Sequence, residues 1–314
     1  MALLGGCAEP PPAAEDGEGE PVGLRFEALP AVDPADVAPL EVYPARDGAE
    51  LPVRHYPSDA DTTLLLVHGS GYHGRYLAPL GRRLAAAGAA RVYTPDLRGH
   101  GASPARRGDC DYVDQLADDL ADLAAWVRER HPGTRVVVGG HSSGGGLAVR
   151  FAGGPDRDQA DGYLLLAPYL GHDAPTTREN SGGWARPRLP VIVGLSILNG
   201  FGVTALNGTT AITFDMPEAV RDGTETLAYS YRLNTGYAPR DYPRDLADLD
   251  APLLALIGAD DEAFRADRLA PALQAVVPDA RVETLPGVAH LDLPAAPATA
   301  ERVIDWLVSK LPNG

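Results

Sequence analysis

One serine of the chain lies in a setting that suits a nucleophile. Gly140-His141-Ser142-Ser143-Gly144 follows a run of three valines and precedes a stretch compatible with a helix. Glycines two positions before and after Ser142 allow a strained turn from strand to helix, which exposes the hydroxyl at the end of a sheet. Counted from Ser143, the same frame has a histidine in place of the first glycine. We therefore predict Ser142 as the nucleophile.

A serine hydroxyl needs a base to take its proton and an acid to orient that base. His290 follows the last predicted strand and is the candidate base. Asp261 follows the strand before it and is the preferred acid, with its neighbour Asp260 as the alternative and Asp173 as a more distant one. Capping of a helix is the non-catalytic interpretation of these aspartates.

Two backbone N–H groups must face the negative charge that develops on a substrate carbonyl. The N–H of Ser143 directly follows the predicted nucleophile and is the first candidate. The second should come from the turn after the first buried strand, where Ser70 is the candidate. His68 and His73 lie on the same turn, and we interpret them as residues that hold the loop.

Strands and helices alternate around these residues. A hairpin over 40–46 and 50–56 precedes Thr62–Val67, an apolar run of the kind that is buried on both faces of a parallel sheet. The remaining predicted strands are 91–94, 135–138, 163–167, 252–257 and 281–285, and the predicted helices are 76–87, 112–130, 144–152, 264–276 and 299–311. This alternation predicts an α/β fold with a mostly parallel sheet and helices on both faces.

The alternation stops between residues 171 and 245, a stretch too long for an unstructured loop in a compact domain. We therefore predict three parts: a disordered tail and entry segment over 1–38, a core over 39–170 and 246–314, and a cap or lid inserted over 171–245. In the cap, the apolar run Leu189–Leu198 suits a helix that covers the serine, contacts lipid or simply packs.

Four aromatic side chains of the predicted cap are candidates for an apolar substrate pocket. They are Trp184, Phe201, Phe214 and Tyr229. Few charged residues accompany them, so a hydrophobic acyl group is the favoured occupant. The alternative is that these rings only pack against one another.

Composition argues against several other functions. The 314 residues carry a net charge of −16 and a single lysine, Lys310, which disfavours nucleic acid as a partner and leaves no lysine for a phosphate-binding loop. No apolar stretch reaches the roughly 18–20 residues of a membrane span. Cys7 and Cys110 form no cluster spaced for zinc, and the predicted chemistry requires neither a metal nor a cofactor.

The residues around Cys7 bear on the location of the protein in the cell. Leu4-Gly5-Gly6-Cys7 resembles a bacterial lipobox, and an acidic, proline-rich stretch follows it. A lipid on Cys7 would attach the chain peripherally to a membrane as a lipoprotein of the cell envelope. Only six residues precede Cys7, fewer than a secretory signal requires, so a cytoplasmic protein is the alternative.

Separated motifs together resemble a known family. They are His68-Gly69-Ser70-Gly71-Tyr72-His73-Gly74-Arg75-Tyr76, Asp96-Leu97-Arg98-Gly99-His100-Gly101-Ala102-Ser103 and Gly140-His141-Ser142-Ser143-Gly144-Gly145. The chain resembles the monoacylglycerol lipase and lysophospholipase branch of the α/β-hydrolases, often labelled serine aminopeptidase-like. The resemblance implies an α/β-hydrolase fold, a triad of Ser142, Asp261 and His290 in the family's chain order, oxyanion donors at Ser70 and Ser143, and a structural turn at 96–101.

These observations and the resemblance predict a serine hydrolase that cleaves carboxylic esters through an acyl-enzyme intermediate, like a carboxylesterase or a monoacylglycerol lipase. Its partner would be a small-molecule acyl ester. A serine peptidase or amidase with the same triad is one alternative. Because a fold does not by itself determine function, a non-catalytic binding protein on the same scaffold is another.

Overall fold

The computed structural model describes residues 23–26, 32–178 and 183–310. Its strands are β1 (Leu40–Pro44), β2 (Glu50–Tyr56), β3 (Thr62–Val67), β4 (Arg91–Pro95), β5 (Arg135–His141), β6 (Gly162–Leu166), β7 (Ala185–Pro187), β8 (Thr210–Phe214), β9 (Ala228–Ser230), β10 (Leu253–Gly258) and β11 (Arg281–Leu285). Its helices are α1 (Ala78–Ala86), α2 (Gln115–Arg130), α3 (Ser143–Ala152), α4 (Leu189–Gly200), α5 (Tyr231–Gly236), α6 (Tyr242–Asp245), α7 (Ala266–Gln274) and α8 (Pro297–Lys310).

Eight of these strands form one sheet, in the order β1-β2-β4-β3-β5-β6-β10-β11. β2 pairs antiparallel with β1 and with β4, and the other neighbours are parallel. The chain moves one way across the sheet from β3 through α1 to β4, and the opposite way through α2 and α3. Because such crossovers are right-handed, α1 lies on one face and α2 and α3 on the other. The predicted α/β class, with a mostly parallel sheet, is confirmed.

The centre of the sheet follows from its apolar strands. Every residue of Thr62–Val67 is buried, because β3 lies between β4 and β5 and helices cover the sheet. Leu253–Gly258 is buried in the same way between β6 and β11. These strands place the loops that follow them at one edge, since the carboxyl ends of parallel strands meet there.

Helix α2 differs from its predicted start. Leu116, Leu120 and Leu123 are buried on one face, as their spacing predicts. The helix begins at Gln115 rather than near residue 112, because the Gln115 side chain accepts the N–H of Asp111 at 2.5 Å and holds the preceding residues in a turn.

A second, three-stranded antiparallel sheet, β7-β8-β9, lies within the segment 171–245 together with α4, α5 and α6. Its strands are three to five residues long, too short for their alternation to be recognised in sequence. The helix predicted over 189–198 is present as α4. The boundaries of tail, core and cap stay predictions.

Cys7 and most of the predicted tail lie outside the described residues. Cys110 is a buried free thiol. None of the helices in the described part of the chain has the length and apolarity needed to cross a bilayer.

Candidate active site

Ser142 occupies a strained turn between β5 and α3. Its backbone has φ 56° and ψ −120°, a conformation that L-residues with a side chain rarely adopt. A Cβ on Gly140 would lie 2.2 Å from the carbonyl carbon of Gly144, and one on Gly144 would lie 2.4 Å from the carbonyl oxygen of His68. The glycine frame is therefore required for the chain to turn this tightly.

His290 and Asp261 lie beside Ser142. The Nε2 atom of His290 is 3.1 Å from the Ser142 Oγ, and its Nδ1 is 2.8 Å from Asp261 Oδ2. The other Asp261 oxygen accepts the backbone N–H groups of Ala263 and Phe264 at 2.9 and 2.7 Å. A carboxylate held in this way accepts the Nδ1–H of the imidazole, which leaves the Nε2 lone pair to accept the serine proton.

The two other aspartates considered from sequence do not reach His290. Asp260 is exposed, and the side chain of Asp173 is 85% exposed. β10 and β11 end at the same edge of the sheet as β5. Asp261 and His290, which follow Ser142 by 119 and 148 positions in the chain, therefore lie beside it.

Ser70 and Ser143 face each other across the loop after β3. Their hydroxyl oxygens are 2.6 Å apart. Within the described residues, no protein acceptor receives the N–H of either serine. The neighbouring amides are engaged instead, since Gly69 N–H donates to Tyr76 Oη at 2.8 Å and Gly71 N–H to Tyr229 Oη at 2.7 Å. Two unused N–H groups are thus available to a ligand, one of them at the start of α3.

Two buried side chains that sequence reasoning missed connect these parts. The Nε2–H of His141 donates to the backbone carbonyl of His290 at 3.1 Å, because a carbonyl can only accept. Its Nδ1 then accepts the hydroxyl proton of Tyr76 at 2.8 Å. Burial, and next the nearby His290, hold the pKa of His141 well below its usual range, so the ring is neutral. The position of His141 directly before the nucleophile was the available signal.

Glu262 is a third missed residue. It is buried, and its Oε2 accepts the backbone N–H of His290 at 3.1 Å. Its Oε1 accepts the backbone N–H of Arg25 at 2.8 Å. The carboxylate therefore joins the loop that carries His290 to the N-terminal segment. Its place next to Asp261 was the only sign of this in the sequence.

His68 and His73 hold loops, as interpreted from sequence. His68 Nε2 accepts the N–H of Leu97 at 3.1 Å, and its Nδ1–H donates to the Gly69 carbonyl at 2.9 Å. Burial, and next the neighbouring His100, lower the pKa of His68 well below its usual range. His73 Nε2 lies 2.9 Å from the Thr224 hydroxyl.

A narrow cleft of about 10 Å³ opens beside Ser142. It is lined by Gly69, Ser70, Tyr72, Tyr76, His141, His290, Leu291, Trp184, Leu24 and Phe26. Of the predicted pocket residues, Trp184 lines the cleft, Phe214 stacks on it with ring centroids 4.6 Å apart, and Tyr229 packs behind Phe214 at 4.8 Å. Tyr229 also orders the Ser70 loop through Gly71, a role that sequence reasoning did not assign.

Phe201 is not brought to the cleft. It follows α4 and is 82% exposed. The reason is that α4 runs along the outside of the molecule and exposes Leu189, Val193 and Ile197 while burying Leu195. The sequence showed an apolar helix but not which neighbours would cover it.

A second cavity of about 140 Å³ shares Tyr72 and Tyr76 with the cleft. Its other lining residues are His73, Arg75, Asp222, Thr224, Glu225, Val32 and Val220. The two tyrosines thus lie between the cleft beside Ser142 and a cavity whose lining includes several charged side chains.

Comparison with models of known families matches residues 58–293 to the family described as serine aminopeptidase, S33. The match spans well over half of the chain and includes Ser142, Asp261 and His290. The chain belongs to the serine aminopeptidase family. The resemblance to the serine aminopeptidase-like α/β-hydrolases that was drawn from the motifs is confirmed.

Several proteins are similar to this serine aminopeptidase family member. A monoacylglycerol lipase of Mycolicibacterium smegmatis is 24% identical over 274 residues, which cover 81% of this chain and 90% of the relative. A soluble variant of monoglyceride lipase from Saccharomyces cerevisiae, solved with a substrate analogue, has a TM-score of 0.64 at 18% identity and covers 90% of this chain and 97% of its own. The Paleococcus ferrophilus monoacylglycerol lipase has a TM-score of 0.63 at 21% identity, with coverages of 83% and 100%. These structural likenesses show the α/β-hydrolase fold.

The Asp96–Gly101 turn of this family member is anchored by a buried ion pair. Asp96 Oδ1 lies 2.5 Å from Arg54 Nη1 and accepts the N–H of Gly74 at 2.8 Å. Burial opposes ionisation of Asp96, but the neighbouring His73 and the Arg54 guanidinium outweigh it and hold the pKa of the carboxyl well below its usual range. The structural role that the resemblance implied for this turn agrees with these contacts.

Proposed function

We propose that the chain is a serine hydrolase that cleaves carboxylic esters through an acyl-enzyme intermediate. The observation that carries the proposal is the unbroken series of contacts from Ser142 Oγ through His290 to Asp261, at 3.1 and 2.8 Å. The free N–H groups of Ser70 and Ser143 beside it add further support. The names of the similar lipases agree with an ester substrate.

Acylation begins when His290 Nε2 takes the proton of the Ser142 hydroxyl as its oxygen attacks the ester carbonyl. The tetrahedral oxyanion accepts hydrogen bonds from the Ser70 and Ser143 amides, each worth about 3–4 kcal/mol in comparable sites. Asp261 stabilises the imidazolium that forms. His290 then gives the proton to the leaving alkoxide, the C–O bond breaks and the alcohol departs.

Deacylation repeats the sequence with water. His290 takes a proton from water, whose oxygen attacks the acyl carbonyl on Ser142, and the same two amides bind the second oxyanion. The proton returns to the Ser142 oxygen as the carboxylic acid leaves. The net reaction consumes one water and yields one acid and one alcohol.

Trp184 is proposed as an apolar wall of the substrate site, with Phe214 and Tyr229 supporting it from behind. The segment 171–245 that carries these rings is proposed as a cap. Attachment of the chain to a membrane through Cys7 stays a separate proposal, which a Cys7→Ser variant tests by its distribution between membrane and soluble fractions.

Labelling with a fluorophosphonate tests the nucleophile. Covalent labelling of the wild type should disappear in Ser142→Ala and persist in Ser103→Ala, a matched change at an exposed loop serine. A folded wild type that takes up no label would overturn the proposal in favour of a binding protein.

A substrate pair tests the bond that is cleaved. We expect hydrolysis of p-nitrophenyl acetate and no release of p-nitroaniline from an aminoacyl p-nitroanilide. Amide cleavage is harder because the poorer leaving group must be protonated as it departs. Turnover of the anilide alone would replace the ester assignment with a peptidase or amidase.

A further inference from the structure

Residues 23–26 lie over the candidate active site. Leu24 and Phe26 are 8% and 6% exposed, and both line the cleft that contains Ser142 and His290. The Phe26 N–H donates to the Leu24 carbonyl at 3.1 Å, which folds the segment back on itself. Two large apolar side chains of the N-terminal segment thus line the cleft beside the proposed nucleophile.

Hydrogen bonds through Glu262 connect residues 23–26 to the loop that carries His290. The backbone N–H of Arg25 donates to Glu262 Oε1 at 2.8 Å, and the Arg25 guanidinium is 3.6 Å from the same oxygen. The second oxygen of Glu262 accepts the backbone N–H of His290. One buried carboxylate therefore positions both the N-terminal segment and the loop of the proposed base.

Residues 23–26 also pack against the predicted cap through aromatic side chains. The ring of Phe26 packs edge to face against Trp184, with centroids 6.1 Å apart and planes at 65°. Phe214 stacks on Trp184 in turn. Leu24 and Phe26 therefore belong to the same aromatic and aliphatic wall as Trp184.

The wall leaves little room beside the nucleophile. The cleft volume of about 10 Å³ is close to what a single water molecule needs. A methyl group is of similar size, whereas a longer acyl chain would need more space than this lining, which includes Leu24 and Phe26, leaves open. A hydrophobic pocket discriminates roughly 10–200-fold for each methylene that does not fit.

We propose that Leu24 and Phe26 form the far wall of the acyl subsite and restrict the enzyme to esters of short acyl chains. The inference rests on the proposed function, in which Ser142 attacks an ester carbonyl. The two side chains determine specificity by contacting the substrate and take no part in proton transfer.

An acyl series of p-nitrophenyl esters from acetate to dodecanoate tests the inference on the full-length chain. Wild-type kcat/KM should be highest for acetate and fall at least tenfold from acetate to butyrate. The double variant Leu24→Ala with Phe26→Ala should move the optimum to longer chains by four carbons or more, so that the ratio of kcat/KM for octanoate to that for acetate rises at least tenfold. The matched control, Leu40→Ala with Val308→Ala at exposed positions, should keep the wild-type profile.

Two results would overturn the inference while leaving the proposed function intact. One is an unchanged chain-length profile in the double variant. The other is an equal gain at every length, acetate included, which would make the segment a general plug. If the folded wild type hydrolyses none of the esters, the proposed function is wrong and the inference fails with it.

An alcohol series and a milder variant test the same inference. A series of acetate esters of longer alcohols should show no gain in the double variant, and a gain confined to that series would place the wall at the alcohol side instead. Phe26→Leu keeps the segment apolar and should move the optimum in the same direction by a smaller step, so the inference stays testable if the double variant does not fold. An unmoved optimum in the folded double variant, or in folded Phe26→Leu where the double variant does not fold, would overturn the inference.

Discussion

His141 donates a hydrogen bond from its Nε2 to the backbone carbonyl of His290, and the two rings lie with their centroids 4.7 Å apart. The residue before the proposed nucleophile thus positions the backbone of the proposed base. Because Tyr76 bonds both His141 and the N–H of Gly69, the same network also holds the loop that carries Ser70. The proposed base, nucleophile and oxyanion donor are therefore connected through the hydrogen bonds of Tyr76 and His141.

Tyr76→Phe removes that coupling while keeping the ring. The change leaves His141 Nδ1 and the Gly69 N–H without their partner, which should lower the free energy of unfolding by about 2 kcal/mol. We expect kcat on a p-nitrophenyl ester to fall about tenfold with little change in KM, because a positioning residue acts through the Ser70 loop and His290. Tyr112→Phe, at an exposed tyrosine bonded to Asp118, is the control and should leave both quantities near wild type. Loss of stability without loss of kcat would show that Tyr76 is structural only.

Asp261→Asn should reduce kcat about 10⁴-fold, by analogy with other triads. An amide at this position can still accept the N–H groups of Ala263 and Phe264, but its NH₂ would face His290 Nδ1. The imidazole would then carry its proton on Nε2 and could not accept the serine proton. Asp260→Asn, one residue away and exposed, should retain wild-type kcat, and comparable losses in the two variants would contradict the assignment.

Gly144→Ala should destabilise the chain by more than about 3 kcal/mol, because the new Cβ would meet two backbone oxygens, those of Val67 and His68, at 2.5 and 2.4 Å. Gly194→Ala is the matched control, since a Cβ in the middle of α4 has no other atom within 4 Å. It should stabilise the helix by about 0.5–1 kcal/mol. Urea unfolding of both variants measures the difference. Equal stability of the two would mean that the turn at Ser142 is looser than described.

The stability of the chain should fall as the pH drops below about 6.5. Burial lowers the pKa of His100 to about 4 and holds those of His68 and His141 well below their usual range. Each is neutral when folded, whereas the unfolded chain takes up a proton on each below about pH 6.5, so acid favours unfolding. At pH 5.5 this costs about 1.4 kcal/mol for each histidine.

Urea titrations between pH 7.5 and 5 measure this dependence. The slope of the free energy of unfolding against pH reports how many protons the chain takes up when it unfolds. His100→Gln should lower that number by one in acid, whereas His172→Gln, at a ring that is 91% exposed, should not change it. A slope unaffected by His100→Gln would contradict the assignment of that ring as neutral.

The main sheet could be predicted from sequence because its signals are local. The apolar run of β3 and the glycine frame around Ser142 each determine their structure within a few residues. Asp261 could be preferred over Asp260 but not chosen, since only the fold shows which carboxylate turns inward.

The missed features depend on partners distant in the chain. Arg25 and Glu262 are 237 positions apart, and neither residue type suggests their hydrogen bond. The strands β7, β8 and β9 are short and pair across loops, so no periodicity marks them. Phe201 was predicted to line the pocket but is exposed. The sequence of an inserted segment does not show whether an aromatic side chain faces a cleft or solvent.

The positive φ of Ser142 has a consequence for the evolution of this chain. A backbone held in that region costs roughly 1–3 kcal/mol whether or not any reaction takes place. Ser142→Gly would relieve this strain, so the variant should unfold at a higher temperature than its parent. Selection for stability alone would thus favour glycine at this position, and the proposed use of the hydroxyl in catalysis would offset that cost.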